Sequence, residues 1–189
     1  GYLVTIGITP TEPSTAFGDI ELGVEQSPGV LHVKAFTEKP DAATAKAMLA
    51  QGGYAWNAGM FVVRTDILLE HLSTLQPTIE EGVRRIAAAW DGPDRDAVLA
   101  EVWPTLTRIA IDHALAEPVA AQGGVAVVPA DFDWHDVGDF DSLAELLSPD
   151  SDGVTRVGCG GEVKAIGSDG VVAVGATRKL AVVGLDNVV

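Results

Sequence analysis

The sequence predicts an α/β protein, a mixed sheet with helices, followed by a β-rich extension. Three observations carry that expectation. Short β-branched runs alternate with stretches of helical apolar spacing as far as Pro149. Beyond Pro149 no helical period remains, and from Asp152 to Val189 glycines punctuate short β runs. The expected division is residues 1–149 as one domain and 150–189 as a β-rich unit, cut short because it stops within the apolar pair Val188-Val189.

Leu3 to Ile8 is apolar and β-branched, as a buried strand is, and Pro10 with the polar Thr11 to Ser14 ends it. Gly23 to Gly29 reads as a turn, and Leu31 to Phe36 as a strand leading into Glu38. Pro40 blocks an earlier helix start and Asp41 is a good N-cap. The helix that follows carries Ala45, Met48 and Leu49 on one face and ends at Gly52-Gly53. Gly59 to Val63 is the next strand. Thr65 is expected to cap a helix bearing Ile67, Leu68, Leu72 and Leu75, and Ile79, Val83, Ile86 and Trp90 keep helical spacing through another. A further helix covers Asp96 to Val102, Ile109 to Pro118 contains a helix start, and Val125 to Val128 is a strand. Leu143, Leu146 and Leu147 mark a last helix. Val163 to Ile166, Val171 to Val174 and Leu180 to Leu185 are the β runs of the extension.

The net charge of -15 speaks against nucleic acid as a partner, because phosphate backbones are bound through basic faces. It also means that an anionic ligand needs a local lysine or a metal ion to offset the field. No apolar run approaches the ~20 residues that span a bilayer, and Gly1 to Val4 lacks the basic start of a signal peptide. The single cysteine, Cys159, excludes an intramolecular disulfide and fits a reducing cytoplasm. No histidine stands near it in the chain to lower its pKa. A homodimer is the default expectation for the assembly.

Chemistry-bearing residues concentrate between Phe36 and Phe61. In FTEKP, Glu38 and Lys39 close a strand just before Pro40, and in YAWNAGMF, Asn57 and Gly59 lie between Trp56 and Met60. Polar residues at strand ends are where an open α/β sheet binds ligands. An acid, an amine and an Asn-Ala-Gly turn suit a small ligand carrying hydroxyls and a phosphate; the alternative is a surface ion pair followed by a tight turn. Asp112 and Glu117 offer carboxylates for sugar hydroxyls, or serve as helix surface and caps. Asp131, Asp133, Asp136, Asp139 and Asp141 form a second cluster. Asp136, before Gly138, suits Mg²⁺, a hard ion held through one or two carboxylates plus substrate phosphates. Asp139 or Asp141 is placed to cap the next helix. A metallohydrolase built on His135 and Asp136 would need further histidines, and His32, His71 and His113 show no ligand spacing with it. Neither GxGxxG nor GxxxxGK[ST] occurs, so any nucleotide site is incomplete here.

Five segments, LVTIGITPTEPSTAFGDI, FTEKP, YAWNAGMF, IAIDHALAE and DFDWHDVGDF, occur in the order found in the mannose-1-phosphate guanylyltransferases, members of the sugar-nucleotidyltransferase group. The chain resembles that family over nearly its whole length. FTEKP is shared by many sugar nucleotidyltransferases, whereas WNAGMF followed by W-x-D-V-G points to mannose. KLAVVGLDNVV resembles the family's β-helical region. The resemblance implies a partial Rossmann-like mixed-sheet nucleotidyltransferase domain with a left-handed β-helix-like C-terminal extension. It implies an enzyme that joins GTP and mannose 1-phosphate into GDP-mannose, releasing pyrophosphate, with Mg²⁺. Lys39 would neutralise the sugar phosphate, Glu38 and Asn57 would bind mannose hydroxyls, and Asp136 would be the metal ligand. Gly18 and Gly59 would bring backbone close to the sugar, where a Cβ would intrude. The family's N-terminal half, with its Gly-rich nucleotide loop, is missing, so the chain alone is expected to be inactive. The family commonly has an aromatic where Asp19 stands and a serine where Ala110 stands. Two other readings are a nucleotidyltransferase for another sugar 1-phosphate and a non-catalytic sugar-phosphate-binding regulatory subunit.

Overall fold

Five strands organise the first part of the chain in the computed structural model, which describes residues 1–189. They are β1 (Leu3–Ile8), β2 (Asp19–Ser27), β3 (Val30–Thr37), β4 (Tyr54–Val62) and β5 (Val125–Ala130). The strands close on themselves in the order β1-β4-β2-β3-β5. β1 and β5 run parallel and the other pairs antiparallel, so the sheet is mixed, as expected. It is not open: Leu31 and His32 of β3 pair with Val127 and Ala126 of β5 and join the ends. Leu3, Ile20, Val33, Phe36, Val125 and Val127 pack with Val119 and Ala120 of α5 (Glu117–Ala121) and with Ala116 just before it to form the core. Each large apolar side chain fully buried there contributes roughly 1.5–3 kcal/mol.

Two strands depart from the sequence reading, each because of a bulge. The expected turn at Gly23–Gly29 is strand as far as Ser27, and the chain reverses at Pro28-Gly29, with Gly29 at φ +76°. The β2–β3 register slips between Leu22 and Glu25, and a Cβ on Gly23 would stand 2.7 Å from the His32 carbonyl oxygen. Gly23 therefore marks a close approach of two strands. β4 begins at Tyr54, well before Gly59, so Asn57 lies within a strand. The β1–β4 register jumps from Thr5↔Phe61 to Gly7↔Asn57, leaving Ala58 to Met60 as a bulge. Gly59, at φ +71°, supplies the left-handed residue that the bulge needs.

The helices are α1 (Ala42–Gln51), α2 (Thr65–Leu75), α3 (Pro77–Ala89) and α4 (Arg95–Val102). Asp41 caps α1, its carboxylate accepting from the Ala43 and Thr44 amides at 2.9 Å. Thr65 is the first residue of α2; the cap position belongs to Arg64, which makes no capping bond through its side chain. A π-helical turn, Asp112–Ala116, runs directly into α5.

The chain forms two compact units, Gly1–Phe132 and Asp133–Val189. The segment 133–149, expected with the first domain, falls in the second of these. There Asp139 caps α6 (Phe140–Leu146), accepting from the Ser142 amide at 2.8 Å. β6 (Val154–Val157) pairs in parallel with β8 (Val171–Val174), and β7 (Val163–Ile166) with β9 (Leu180–Val183). Where the resemblance implies a left-handed β-helix, the structure shows these two short parallel sheets. Val154↔Val171, Val163↔Leu180 and Val171↔Val188 share one offset of 17 residues, and Val154, Val163, Val171, Ala173 and Val182 pack as the unit's core. No helix is long and apolar enough to cross a membrane.

Candidate functional site

Asn57 is the hub of the site. It is buried, and burial of an amide is tolerated only when its polar atoms are paired. Its Oδ1 accepts the Thr5 hydroxyl at 2.6 Å and the Gly59 amide at 3.2 Å, while its Nδ2 donates to Asp112 Oδ1 at 3.2 Å. The Asn57 backbone amide donates to the Gly18 carbonyl at 2.7 Å. The amide orientation is thus fixed by partners from β1, from its own bulge and from the π-helical turn.

Glu38 and Lys39 leave the end of β3 beside this hub. The Glu38 side chain is 14% exposed and its carboxylate lies 3.7 Å from Lys39 Nζ, whose side chain is 63% exposed. The backbone amide of Glu38 donates to Glu117 Oε1 at 3.1 Å. A Cβ on Gly18 would meet Glu38 Oε2 at 2.7 Å and the Phe36 ring at 3.2 Å, so Gly18 makes room for the carboxylate. At Gly59 an added Cβ would meet nothing within 4 Å; its requirement is the positive φ alone. Burial raises the Glu38 pKa first, the Asp112 and Glu117 charges add to that, and Lys39 and His113 oppose it.

Gly18, Glu38, Lys39, Asn57, Gly59 and Asp112 therefore converge in the first unit. Thr5 and His113, which spacing alone did not select, join them, as does Glu117, read from the sequence as a carboxylate for sugar hydroxyls or as helix surface. Thr5 anchors Asn57. Glu117, one of the two carboxylates noted around Pro118, holds the Glu38 amide through Oε1 and faces His113 Nδ1 across 3.0 Å through Oε2. The hydrogen bond to Glu117, followed by its charge, raises the His113 pKa above the ordinary 6.5. The separation of His113 and Glu117, one helical turn, was the available signal. Asp19, beside Gly18, is 5% exposed; its Oδ2 has no partner, and burial pushes its pKa up to about 6.

Asp136 belongs to the second unit and is exposed, on the irregular segment before α6. No three or more His, Cys, Asp or Glu side chains gather anywhere in the chain as a metal cluster. The grooves of 660 and 380 Å³ against α3 and α4 are lined by residues such as Val83, Trp90 and Trp103 and include none of the candidate residues.

The first-unit cluster combines carboxylate and amide groups, which hydrogen-bond hydroxyls, with one exposed ammonium able to meet an anion. Such a set of groups is chemically suited to a phosphorylated, hydroxyl-rich small molecule. Residues 1–152 match the model of the nucleotidyl transferase family, and the chain belongs to that family. It is 40% identical over 157 residues to the xanthan biosynthesis protein XanB of Xanthomonas campestris pv. campestris, covering 81% of this chain and 32% of that one. It is 36% identical over 157 residues to a mannose-1-phosphate guanylyltransferase of Klebsiella pneumoniae, covering 81% of this chain and 33% of that one. The chain thus spans about a third of the length of the curated relatives it matches. A solved structure from Thermus thermophilus, described as a mannose-1-phosphate geranyltransferase, superposes with a TM-score of 0.70 at 29% identity, over 98% of this chain and 52% of that one.

Proposed function

We propose that this chain is the sugar-phosphate-binding part of a mannose-1-phosphate guanylyltransferase, an enzyme forming GDP-mannose and pyrophosphate from GTP and mannose 1-phosphate. The observation that carries the proposal is the wiring of Asn57 between Thr5, Gly59 and Asp112, next to the Glu38–Lys39 pair. The name of the Klebsiella relative supports mannose as the sugar. On this reading residues 1–149 bind the sugar phosphate and 150–189 are the β-rich extension.

Asn57, Glu38 and Asp112 bind mannose hydroxyls, and Lys39 neutralises the phosphate. The Gly18 and Gly59 backbones lie against the sugar. The sugar phosphate then attacks the α-phosphorus of the nucleotide in line, and pyrophosphate leaves. The chain's own contribution is positioning and charge neutralisation, which dominate phosphoryl-group transfer. Asp136 fits Mg²⁺: it is an exposed hard-oxygen donor, and one or two carboxylates plus substrate phosphates suffice for that ion. Bound there, Mg²⁺ would supply charge neutralisation at the phosphate oxygens. With no phosphate-cradling motif in its sequence, the 189-residue chain by itself is proposed to be inactive.

The test uses the full-length enzyme. Asp136→Asn should lower pyrophosphate release at saturating Mg²⁺ by about a hundredfold or more, as loss of a group that stabilises transition-state charge does. Near-wild-type turnover would remove Asp136 from the metal site. Turnover with another sugar 1-phosphate in preference to mannose 1-phosphate would overturn the substrate assignment.

A further inference from the structure

Lys39 adopts φ +47°, a left-handed conformation that L-residues other than glycine and asparagine rarely take. The residue before a proline is normally extended, and Lys39 precedes Pro40, so its conformation is doubly disfavoured. Strain of that kind persists only where the surroundings over-determine it. Two anchors flank Lys39: Pro40 is buried on one side, and on the other the Glu38 amide is held by Glu117 Oε1 at 3.1 Å. Glu117 is in turn held by the 3.0 Å contact of its Oε2 with His113 Nδ1.

We propose that His113 is a positioning residue for the Glu38–Lys39 turn, acting through Glu117. Its side chain is 51% exposed and belongs to no part of the hydrophobic core, so packing does not account for its placement. Charged, it donates to one Glu117 oxygen and leaves the other directed at the Glu38 amide. Neutral, it no longer attracts the carboxylate by charge, and Glu117 is freer to leave the amide. The groups facing it are Glu117, Glu38 and the neighbouring Asp112, with Lys39 paired to Glu38. All three carboxylates favour its charged form, so the clamp is tight below the histidine's raised pKa and loosens as pH rises through it. The consequence for mannose 1-phosphate rests on the function proposed above; the clamp itself does not.

The experiment follows the Glu38 amide by ¹⁵N NMR between about pH 5.5 and 8.5, then titrates mannose 1-phosphate by calorimetry. In the wild-type chain the Glu38 amide resonance should move in a step centred above 6.5. His113→Ala should abolish that step and weaken mannose 1-phosphate binding about three- to fivefold at pH 6, the scale of an exposed ion pair. His113→Asn puts an N–H where Nδ1 stands, so it should restore binding to within about twofold without restoring the step. Glu117→Gln keeps an oxygen for the Glu38 amide and removes the charge, and should move the step down toward 6.5. An unchanged step in His113→Ala, or wild-type affinity in that variant at pH 6, would overturn the positioning role. If mannose 1-phosphate does not bind the wild-type chain at all, the proposed function fails, and the amide step alone still decides the clamp.

Discussion

The cluster around Asn57 and the loop carrying Asp136 are both rich in carboxylates, yet they are built in opposite ways. Around Asn57 the polar groups are interlocked: Thr5, Gly59, Asp112, Glu117 and His113 fix amide and carboxylate orientations before any ligand arrives. In the segment 131–139 the chain is irregular and almost wholly exposed, and Asp139 is committed to the α6 cap while Asp136 stands exposed. Each construction suits a different job. Preorganised donors and acceptors discriminate a ligand's shape, since their geometry is set in advance. An uncommitted exposed carboxylate suits an ion that brings its remaining ligands with it.

The largest effect expected from breaking this contrast is on stability. Asn57→Ala leaves the Thr5 hydroxyl buried without its partner and frees Asp112, and should cost about 2–4 kcal/mol in urea unfolding. Asp136→Asn should stay within about 0.5 kcal/mol in the same experiment, because nothing in the fold depends on it. Equal losses in the two variants would erase the distinction.

Asp19→Asn probes a buried carboxylate of the same unit, the chain neighbour of Gly18. Its pKa is raised from 3.8 to about 6, so the folded state holds this proton more tightly than the unfolded state does. The resulting penalty is absent below 3.8, grows as pH rises toward 6 and is complete above that. The substitution should therefore stabilise the chain by about 2 kcal/mol at pH 8, and the gain should vanish near pH 4. A gain independent of pH would mean that the unpartnered Oδ2 is not what it relieves.

Gly18→Ala separates fold from site. The added methyl group meets the mobile end of Glu38, which can swing aside, and the Phe36 ring more loosely. Unfolding free energy should fall by less than about 1 kcal/mol, the cost of a small overpacking that relaxes. Mannose 1-phosphate affinity should drop roughly tenfold, about 1.4 kcal/mol, because Glu38 has moved. A large stability loss with intact affinity would place the importance of Gly18 in packing.

Much of the scaffold was legible in the sequence because it rests on local signals. The apolar β-branched runs of β1 and β5, the Asp41 cap and the Gly52-Gly53 stop each act within a few residues. The bulges were not legible, because a bulge is defined by the partner strand's register: Gly23 and Asn-Ala-Gly carry turn composition but sit in strands. Residue types in the site could be read from FTEKP and WNAGMF, whereas the wiring joins residues as distant as Thr5 and Asn57 and depends on β1–β4 pairing. β6 is as long as its neighbours, but Thr155 and Arg156 interrupt its apolar run, so it did not stand out, although Val154, Val171 and Val188 share the register that reveals it. That signal is an internal period rather than a local pattern.

Calorimetric titration of the chain with mannose 1-phosphate, comparing wild type with Lys39→Ala, is the sharpest test of the sugar-phosphate assignment. Saturable binding at a single site is the expected result. Lys39→Ala should weaken it about five- to thirtyfold, the range for a charged contact to phosphate made by a largely exposed amine. Absence of binding, or equal affinity in the two proteins, would contradict the assignment of this cluster to the sugar phosphate.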